Sequence, residues 1–167
     1  MEQLVLSVGG NLGQREIFIA EAKLLLEKVL SCKAEASAIY ETPAWGFKSS
    51  NAFLNAVFTF AMAELPKNLM GKIISIERQL GRKRSHSAGY TSRTIDIDVI
   101  AIGQQIISND ELIVPHPRMQ DRLFVLKPMA DICPEWRHPI FNQSTKELLQ
   151  FCTDQSKIQK WDSLTTT

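Results

Sequence analysis

Cysteine is scarce in this sequence, and its spacing excludes the common cysteine-built sites. The 167 residues contain three cysteines, Cys32, Cys133 and Cys152, which are widely separated. No two of them have the short spacing of a zinc site, and an odd number leaves at least one thiol outside any set of disulfides. This pattern is typical of a protein from a reducing compartment.

Long apolar runs and an excess of one charge are also missing. No run approaches the length of a transmembrane helix, and the segment that begins Met1-Glu2-Gln3 lacks the basic start of a signal peptide. The formal net charge of +1 gives no general attraction to nucleic acids or membranes. We therefore expect a cytoplasmic monomer that binds neither.

A P-loop is absent as well, although a glycine-rich turn follows the first predicted strand, Gln3–Val8. No Gly-Lys-Ser/Thr comes after Gly9-Gly10-Asn11. Asn11 is instead predicted to cap the helix that runs to about Val29, with Gln14 at the capping-box position. The backbone amides of this turn could also approach a phosphate.

The composition and the order of elements predict one soluble domain. Hydrophobic residues make up 44% of the chain and charged residues 22%. We expect a single domain over residues 1–161 and a disordered tail over 162–167. The predicted strands are Gln3–Val8, Cys32–Tyr40, Phe53–Met62 and Ser92–Ile102, and one predicted helix, from Pro66 to Gly81, lies between the last two.

This order predicts an α+β fold with a ferredoxin-like βαββαβ core. After the aspartate-containing strand, Gln105–Ile107 is predicted to form an added hairpin with it. Two C-terminal helices are expected over Val125–Ala130 and Ser144–Phe151. Ser144 is the expected cap of the second, with Glu147 at its capping-box position.

Two aspartates mark the candidate active site. Ile95, Ile97 and Val99 alternate with Asp96 and Asp98, which is typical of a strand with one buried face. The period of two places both carboxylates on the same side, with Cα atoms roughly 7 Å apart. A hard cation such as Mg²⁺ would remove their repulsion and bind a phosphate-bearing substrate. A solvated strand face is the simpler alternative.

A basic loop precedes this strand. The segment from Gly81 to Ser92 contains Arg82, Lys83, Arg84 and His86 among glycines and serines. Cations facing paired carboxylates would form a clamp for metal-bound polyphosphate. A solvated loop is again the alternative.

Several other residues have two open interpretations. Asn55, inside an apolar strand, satisfies nearby backbone groups or reads a ligand edge. His116, held between prolines, is a structural residue or a phosphate donor. Trp45 and Phe47, on a loop, contact a flat ligand or pack on the core. Glu77 is an exposed acid or a site residue.

These residues resemble a known family. Arg93-Thr-Ile-Asp-Ile-Asp-Val-Ile100 is similar to the signature of the 6-hydroxymethyl-7,8-dihydropterin pyrophosphokinases, which act in folate biosynthesis. The resemblance extends in the same order through nearly the whole chain to about Pro128. Its further motifs are Gly10-Asn11, Thr42-Pro43, Phe53-Leu-Asn55, Glu77 with Gly81-Arg82, Val114-Pro-His116, and Arg122 with Phe124.

The resemblance implies transfer of diphosphate from ATP to the pterin hydroxymethyl group, with release of AMP. Asp96 and Asp98 would hold two Mg²⁺ ions on the ATP phosphates. Arg82 and Arg93 would stabilise charge on the migrating diphosphate. Further ATP contacts are implied for Glu77, Arg84, His116 and Arg122.

The resemblance also implies a pterin site. Phe53 and Phe124 would stack on the two faces of the ring, and the other implied contacts are Thr42, Pro43 and Asn55. The sequence departs from the family where Tyr90-Thr-Ser92 replaces a common Trp-Gly-Pro and Gly10 replaces a frequent serine.

Two other classes of protein share parts of this pattern. Glycosyltransferases also use Asp-x-Asp to hold a metal and a nucleotide diphosphate, but they usually need a longer chain and a parallel sheet. RNA-binding modules share the βαββαβ order, but they need exposed aromatics and a basic face on the central strands.

Overall fold

Eight β-strands and four α-helices form the described part of the chain. The structure is a computed structural model that describes residues 1–83 and 89–162. The strands are Glu2–Gly10 (β1), Glu35–Ala36 (β2), Tyr40–Thr42 (β3), Phe53–Met62 (β4), Asp96–Ile102 (β5), Ile107–Ser108 (β6), Ile113–Val114 (β7) and Gln159–Lys160 (β8). The helices are Arg15–Leu30 (α1), Leu69–Gln79 (α2), Leu123–Ile132 (α3) and Thr145–Phe151 (α4).

Strand β1 lies between β5 and β4 in an antiparallel sheet. The order is β5-β1-β4-β3-β8, with β2 also paired to β4, and β6 and β7 form a separate two-stranded hairpin. Helices α1 and α2 connect strands that are not neighbours, which is the split βαβ arrangement. The predicted α+β, ferredoxin-like fold is therefore confirmed.

The sheet has a hydrophobic core on each face. Alternate residues of β4, including Leu54, Phe58 and Phe60, join the core that lies under α1 and α2. Val57 from the same strand joins a second core, in which α3 and α4 pack on the opposite face together with Val5. A residue period of two therefore gives one strand two buried faces.

A bulge in β5 divides the polar part of this strand from its apolar part. Up to Val99 the odd-numbered residues face the α1/α2 core, and Asp96 and Asp98 face the other side. The register against β1 shifts between Val5 and Leu6, opposite Ile100. A bulge inserts one extra residue on one strand, so Ile100 and Ala101 both join the α3/α4 core.

Three local predictions are wrong. The predicted strand Cys32–Tyr40 is replaced by two short strands, Glu35–Ala36 and Tyr40–Thr42. Helix α2 begins at Leu69 rather than Pro66, because the Asn68 side chain accepts a hydrogen bond from the Gly71 amide and caps it. Gln105–Ile107 does not pair with β5, since the hairpin joins β6 to β7.

The predicted helix cap at Asn11 is also wrong, whereas the cap of the last helix is confirmed. Helix α1 follows Gln14, which makes no side-chain capping bond. At α4, the Ser144 hydroxyl accepts from the Glu147 amide, and the Glu147 carboxylate accepts from the Ser144 amide.

Residues 163–167 of the predicted tail lie outside the described part. No described helix combines the length and apolar character required to cross a membrane.

Gly10 permits a close approach at the end of β1. A Cβ atom built on Gly10 would lie 2.1 Å from the carbonyl oxygen of Thr94. A backbone atom cannot move aside as a side-chain end would. The serine that is frequent in the resembled family would therefore require the segment around Thr94 to shift.

We expect Gly10→Ala to lower the free energy of unfolding by about 1–3 kcal/mol, the usual cost of overpacking. Urea unfolding measures the change. Ala61→Val adds carbon at an exposed position of the neighbouring strand β4 and should change the free energy by less than about 0.5 kcal/mol. Equal values for both variants would contradict the close approach.

Candidate active site

A cleft opens on the sheet face that carries α3 and α4, in the part of that face that the two helices leave uncovered. Its floor comes from β1, β4 and β5, and its rim comes from the loop after β3 and the start of α3. The residues that line it are Ser7, Gly9, Thr42, Pro43, Trp45, Phe53, Asn55, Arg93, Asp96, Asp98 and Phe124. Eight of the thirteen predicted site residues are among them.

Strand register determines the floor of the cleft. Gly9 of β1 lies between Asn55 on β4 and Asp96 on β5. Two residues away, Ser7 lies opposite Asp98. Both aspartates therefore face the cleft, as their spacing predicted.

Alternating charges hold the start of β5. The Arg82 guanidinium donates to both Glu77 and Asp96, and Arg93 contacts the second Asp96 oxygen at 3.0 Å. Two cations thus face the two oxygens of one carboxylate. This arrangement brings both predicted catalytic arginines to the same aspartate.

Glu77 lies behind this network. Its side chain is 4% exposed, and it accepts a hydrogen bond from the Ile97 backbone amide at 2.9 Å as well as from Arg82. It is not among the residues that line the cleft. This geometry favours positioning of Arg82 and β5 over direct contact with ATP.

Asp98 has a different environment from Asp96. Desolvation in the cleft raises the pKa of Asp98, and the Asp96 carboxylate raises it further, whereas Arg122 and Arg93 oppose the change. Arg122 approaches Asp98 at 3.5 Å. Solvent still reaches 37% of the Asp98 side chain, which screens part of these effects. A further cation nearby would therefore favour the charged form of Asp98.

Arg122 and His116 form the side of the site next to Asp98. Arg122 is 4% exposed, and its Nε is buried with no hydrogen-bond partner among the described residues. The His116 amide donates to Ile100 at 2.8 Å, which attaches its loop to β5. Burial, together with the neighbouring charges of Arg122 and Arg118, lowers the pKa of His116 to about 4, so the ring is neutral near pH 7.

The neutral His116 ring offers a donor. The Arg118 backbone amide donates to Nδ1 of His116 at 3.1 Å, so Nδ1 has no proton. The proton of the neutral ring is therefore assigned to Nε2, which lies 3.5 Å from Arg122 Nη1. This nitrogen suits an anionic ligand better than it suits a guanidinium neighbour.

Aromatic rings form the opposite side of the cleft. The Trp45 ring meets Phe124 with centroids 6.2 Å apart, and Phe47 meets Phe53 at 6.0 Å, both edge to face. The two loop aromatics therefore support the two phenylalanines that were predicted to stack on the pterin. Trp45 also lines the cleft.

Asn55 and Thr42 form a polar pair beside these rings. The Asn55 amide donates to the Thr42 hydroxyl at 2.9 Å, and both residues are buried. Both also line the cleft with Pro43. An amide and a hydroxyl that are fixed in this way present donors and acceptors to the edge of a ligand.

Sequence reasoning missed the main role of Asn11. Its amide nitrogen donates to the Ser92 hydroxyl at 2.9 Å and to the Asn51 carbonyl at 3.3 Å, and its oxygen accepts from the Arg93 amide at 2.9 Å. The side chain ties the loop after β3 to the segment before β5. An asparagine after a strand looks the same in the sequence whether it caps a helix or bridges distant loops.

The two carboxylates suit a metal ion whose remaining coordination positions are filled by a substrate. Within residues 1–83 and 89–162, no three His, Cys, Asp or Glu side chains are grouped to hold a metal ion. Asp96 and Asp98 supply hard oxygen ligands on one strand face. Mg²⁺ is commonly held by one or two carboxylates together with substrate phosphates, so this pair fits such an ion.

The structure thus brings twelve of the thirteen predicted residues to one region. Arg82, Arg122, His116 and Glu77 surround the lining residues rather than joining them. Arg84 lies outside the described residues.

Comparisons with known proteins identify the family of this chain. Residues 5–134 match the family described as 7,8-dihydro-6-hydroxymethylpterin-pyrophosphokinase. The chain is 36% identical over 147 residues to the 2-amino-4-hydroxy-6-hydroxymethyldihydropteridine pyrophosphokinase of Aquifex aeolicus, which covers 88% of this chain and 90% of that protein. The Bacillus subtilis protein of the same name is 35% identical over 157 residues, which cover 93% and 88%.

Solved structures share the fold. A crystal structure described as HPPK-DHPS in complex with substrates superposes with a TM-score of 0.69 at 15% identity. The match covers 89% of this chain and 43% of that longer chain. The antiparallel α+β fold is thus shared with that structure, and the matched relatives are pyrophosphokinases by name. The chain belongs to the 7,8-dihydro-6-hydroxymethylpterin-pyrophosphokinase family.

The raised pKa of Asp98 predicts a pH-dependent stability. A group whose pKa is higher in the folded state than in the unfolded state binds more protons when folded. Its contribution to stability therefore falls as the pH rises above the pKa that the group has in the unfolded state. We expect the unfolding free energy of the ligand-free protein, minus that of Asp98→Asn, to fall as the pH rises from about 4 towards neutrality. Urea unfolding at a series of pH values measures it. A difference that stays constant or rises would contradict the assigned environment.

Proposed function

We propose that the protein transfers diphosphate from ATP to the hydroxymethyl group of 6-hydroxymethyl-7,8-dihydropterin and releases AMP, a step of folate biosynthesis. The observation that carries this proposal is the composition of one cleft. It places an aromatic slot with a fixed amide beside two carboxylates and three arginines. Family membership supports the same reaction.

The aromatic half of the cleft suits the pterin. A flat bicycle stacks on the faces of Phe53 and Phe124. Its amide-like edge needs fixed donors and acceptors, and the Asn55–Thr42 pair offers them. Pro43 adds a rigid wall to this half.

The charged half suits a polyphosphate. Arg82 and Arg93 are proposed to stabilise the migrating diphosphate, and Arg122 and neutral His116 to contact the nucleotide. The Nε atoms of Arg93 and Arg122 are buried and have no hydrogen-bond partner within residues 1–83 and 89–162, which supports this role because such donors normally have a partner. Arg84 is proposed as a further contact from the sequence alone.

Asp96 and Asp98 are the residues proposed to hold Mg²⁺, with two ions expected when ATP is bound. When bound, these ions would neutralise phosphate charge and align the diphosphate. The contacts of Asp96 with Arg82 and Arg93 mean that these cations already balance its charge in the ligand-free protein. An incoming metal–nucleotide complex would replace these contacts. Its phosphates would bind the arginines, and its cations would bind the carboxylates.

The reaction itself needs alignment more than covalent help. The hydroxymethyl oxygen bonds to the β-phosphorus of ATP, the bond from that phosphorus to the oxygen of AMP breaks, and the hydroxyl proton is released. The slot fixes the pterin, and the arginines fix the phosphates, so the two reactants meet above Asp96 and Asp98. Holding two reactants together supplies a large part of such a rate enhancement.

The other classes fit less well. The described sheet is antiparallel throughout, whereas the glycosyltransferase alternative needs a parallel one. The open face of this sheet carries Asp96 and Asp98 on its edge strand β5 rather than a basic surface, which disfavours an RNA-binding module.

Phosphorus NMR of a mixture of ATP, Mg²⁺ and the pterin tests the proposal. We expect AMP and a pterin diphosphate to appear together, and no AMP without the pterin. ADP with a pterin monophosphate would contradict diphosphate transfer. AMP with inorganic diphosphate and no modified pterin would show hydrolysis instead.

Phe124→Ala should weaken binding of the pterin far more than binding of ATP. Loss of stacking on one aromatic ring costs about 1–3 kcal/mol, judged from nucleic-acid bases, which is about 5- to 150-fold in affinity. Calorimetric titration with each ligand measures the two affinities. Phe151→Ala removes an exposed phenylalanine from α4 and serves as the control. Equal losses for both ligands in Phe124→Ala would indicate a structural role.

A further inference from the structure

Tyr90 lies between two arginines at the edge of the site. Its hydroxyl oxygen accepts a hydrogen bond from Arg118 Nη1 at 2.6 Å and from Arg122 Nη2 at 2.8 Å. Hydrogen bonds from a charged donor are stronger than those between neutral groups. One neutral oxygen thus holds two guanidinium groups that would otherwise repel each other.

The tyrosine ring is itself held in place. It meets the Trp45 ring edge to face, with centroids 5.7 Å apart. A Cβ atom built on Gly46 would lie 3.0 Å from the tyrosine ring, and Gly46 has a φ of +78°. The loop after β3 therefore leaves room for this ring with a glycine that other residues would not easily replace.

The two arginines differ in burial, but both can still bind an anion. Arg122 is buried, and its guanidinium lies over the rings of Trp45 and Phe124 at 4.9 and 5.6 Å. Arg118 is exposed, and its backbone amide fixes His116. Each guanidinium has five N–H donors, so the bond to Tyr90 leaves others on both arginines for an anion.

We propose that Tyr90 is a positioning residue whose hydroxyl holds Arg118 beside Arg122, and that Arg118 thereby joins the residues that bind the nucleotide phosphates. This inference rests on the proposed function. It adds one binding residue and one positioning residue to the site, and both follow from contacts of the tyrosine that stands in place of the family's common tryptophan segment. Without the phenolic oxygen, repulsion from Arg122 would move Arg118 into solvent.

A double-mutant cycle tests this coupling. The variants are Tyr90→Phe, Arg118→Ala and the two combined, and the probe is α,β-methylene ATP with Mg²⁺, in which the bond broken by transfer is blocked. Tyr90→Phe keeps the ring beside Trp45 and removes only the oxygen. Titration with the pterin follows on the same variants, because a merely structural defect would weaken both ligands.

We expect each single variant to bind the nucleotide analogue about 3- to 10-fold more weakly, the range of one charge-assisted hydrogen bond at a partly exposed site. The combined variant should lose clearly less than the product of the two single losses. Pterin affinity should change less than twofold. Arg137→Ala removes an exposed arginine beside Glu147, outside the cleft, and should leave both affinities unchanged.

Three results would overturn the inference. Nucleotide affinity in Tyr90→Phe that equals or exceeds that of the wild type would show that the hydroxyl does not position an arginine. Losses that multiply in the combined variant would show that the two residues act independently. An Arg118→Ala variant with wild-type affinity would remove Arg118 from the site.

The wild-type measurements separate this inference from the proposed function. If the wild type forms AMP from ATP in the presence of the pterin while the variants bind normally, only the inference fails. If the wild type neither binds the analogue nor forms AMP, the proposed function fails and the inference fails with it.

Discussion

The site depends on charge balance at the start of β5. A strand places every second side chain on one face, so the carboxylates of Asp96 and Asp98 lie close together and repel each other. Arg82 and Arg93 occupy both oxygens of Asp96, and Arg122 approaches Asp98. The two carboxylates are therefore balanced by cations that come from outside the strand. The same cations are the groups that a polyphosphate requires.

The sheet explains why this network is open to a ligand. Helices α3 and α4 cover the part of one face where Val5, Val57 and Ile100 lie. Towards the other end of the same strands, the rows through Gly9 and Ser7 remain uncovered and form the floor of the cleft. The bulge at Ile100 marks the change from polar floor to apolar core. The fold thus produces a site by covering one half of a sheet face and leaving the other half open.

Local patterns in the sequence predicted much of this arrangement. Alternation around Asp96 and the apolar run of β4 predicted both strands, and the aspartate pair was correctly placed on one face. Contacts between distant segments were not predictable from such patterns. Asn11 was interpreted as a helix cap because the partners that it joins, near Asn51 and Arg93, are far away in the chain. The burial of Glu77 and the hydrogen bonds of Tyr90 depend on the same kind of contact.

We propose that metal and nucleotide bind as one unit, because the metal supplies the positive charge that Asp96 and Asp98 need and the nucleotide supplies the negative charge that the arginines need. The most direct test is calorimetric titration of wild-type protein with α,β-methylene ATP, with and without Mg²⁺, repeated with Asp98→Asn. We expect Mg²⁺ to strengthen nucleotide binding at least about tenfold in the wild type and much less in Asp98→Asn. Equal affinity with and without Mg²⁺ in the wild type would contradict it.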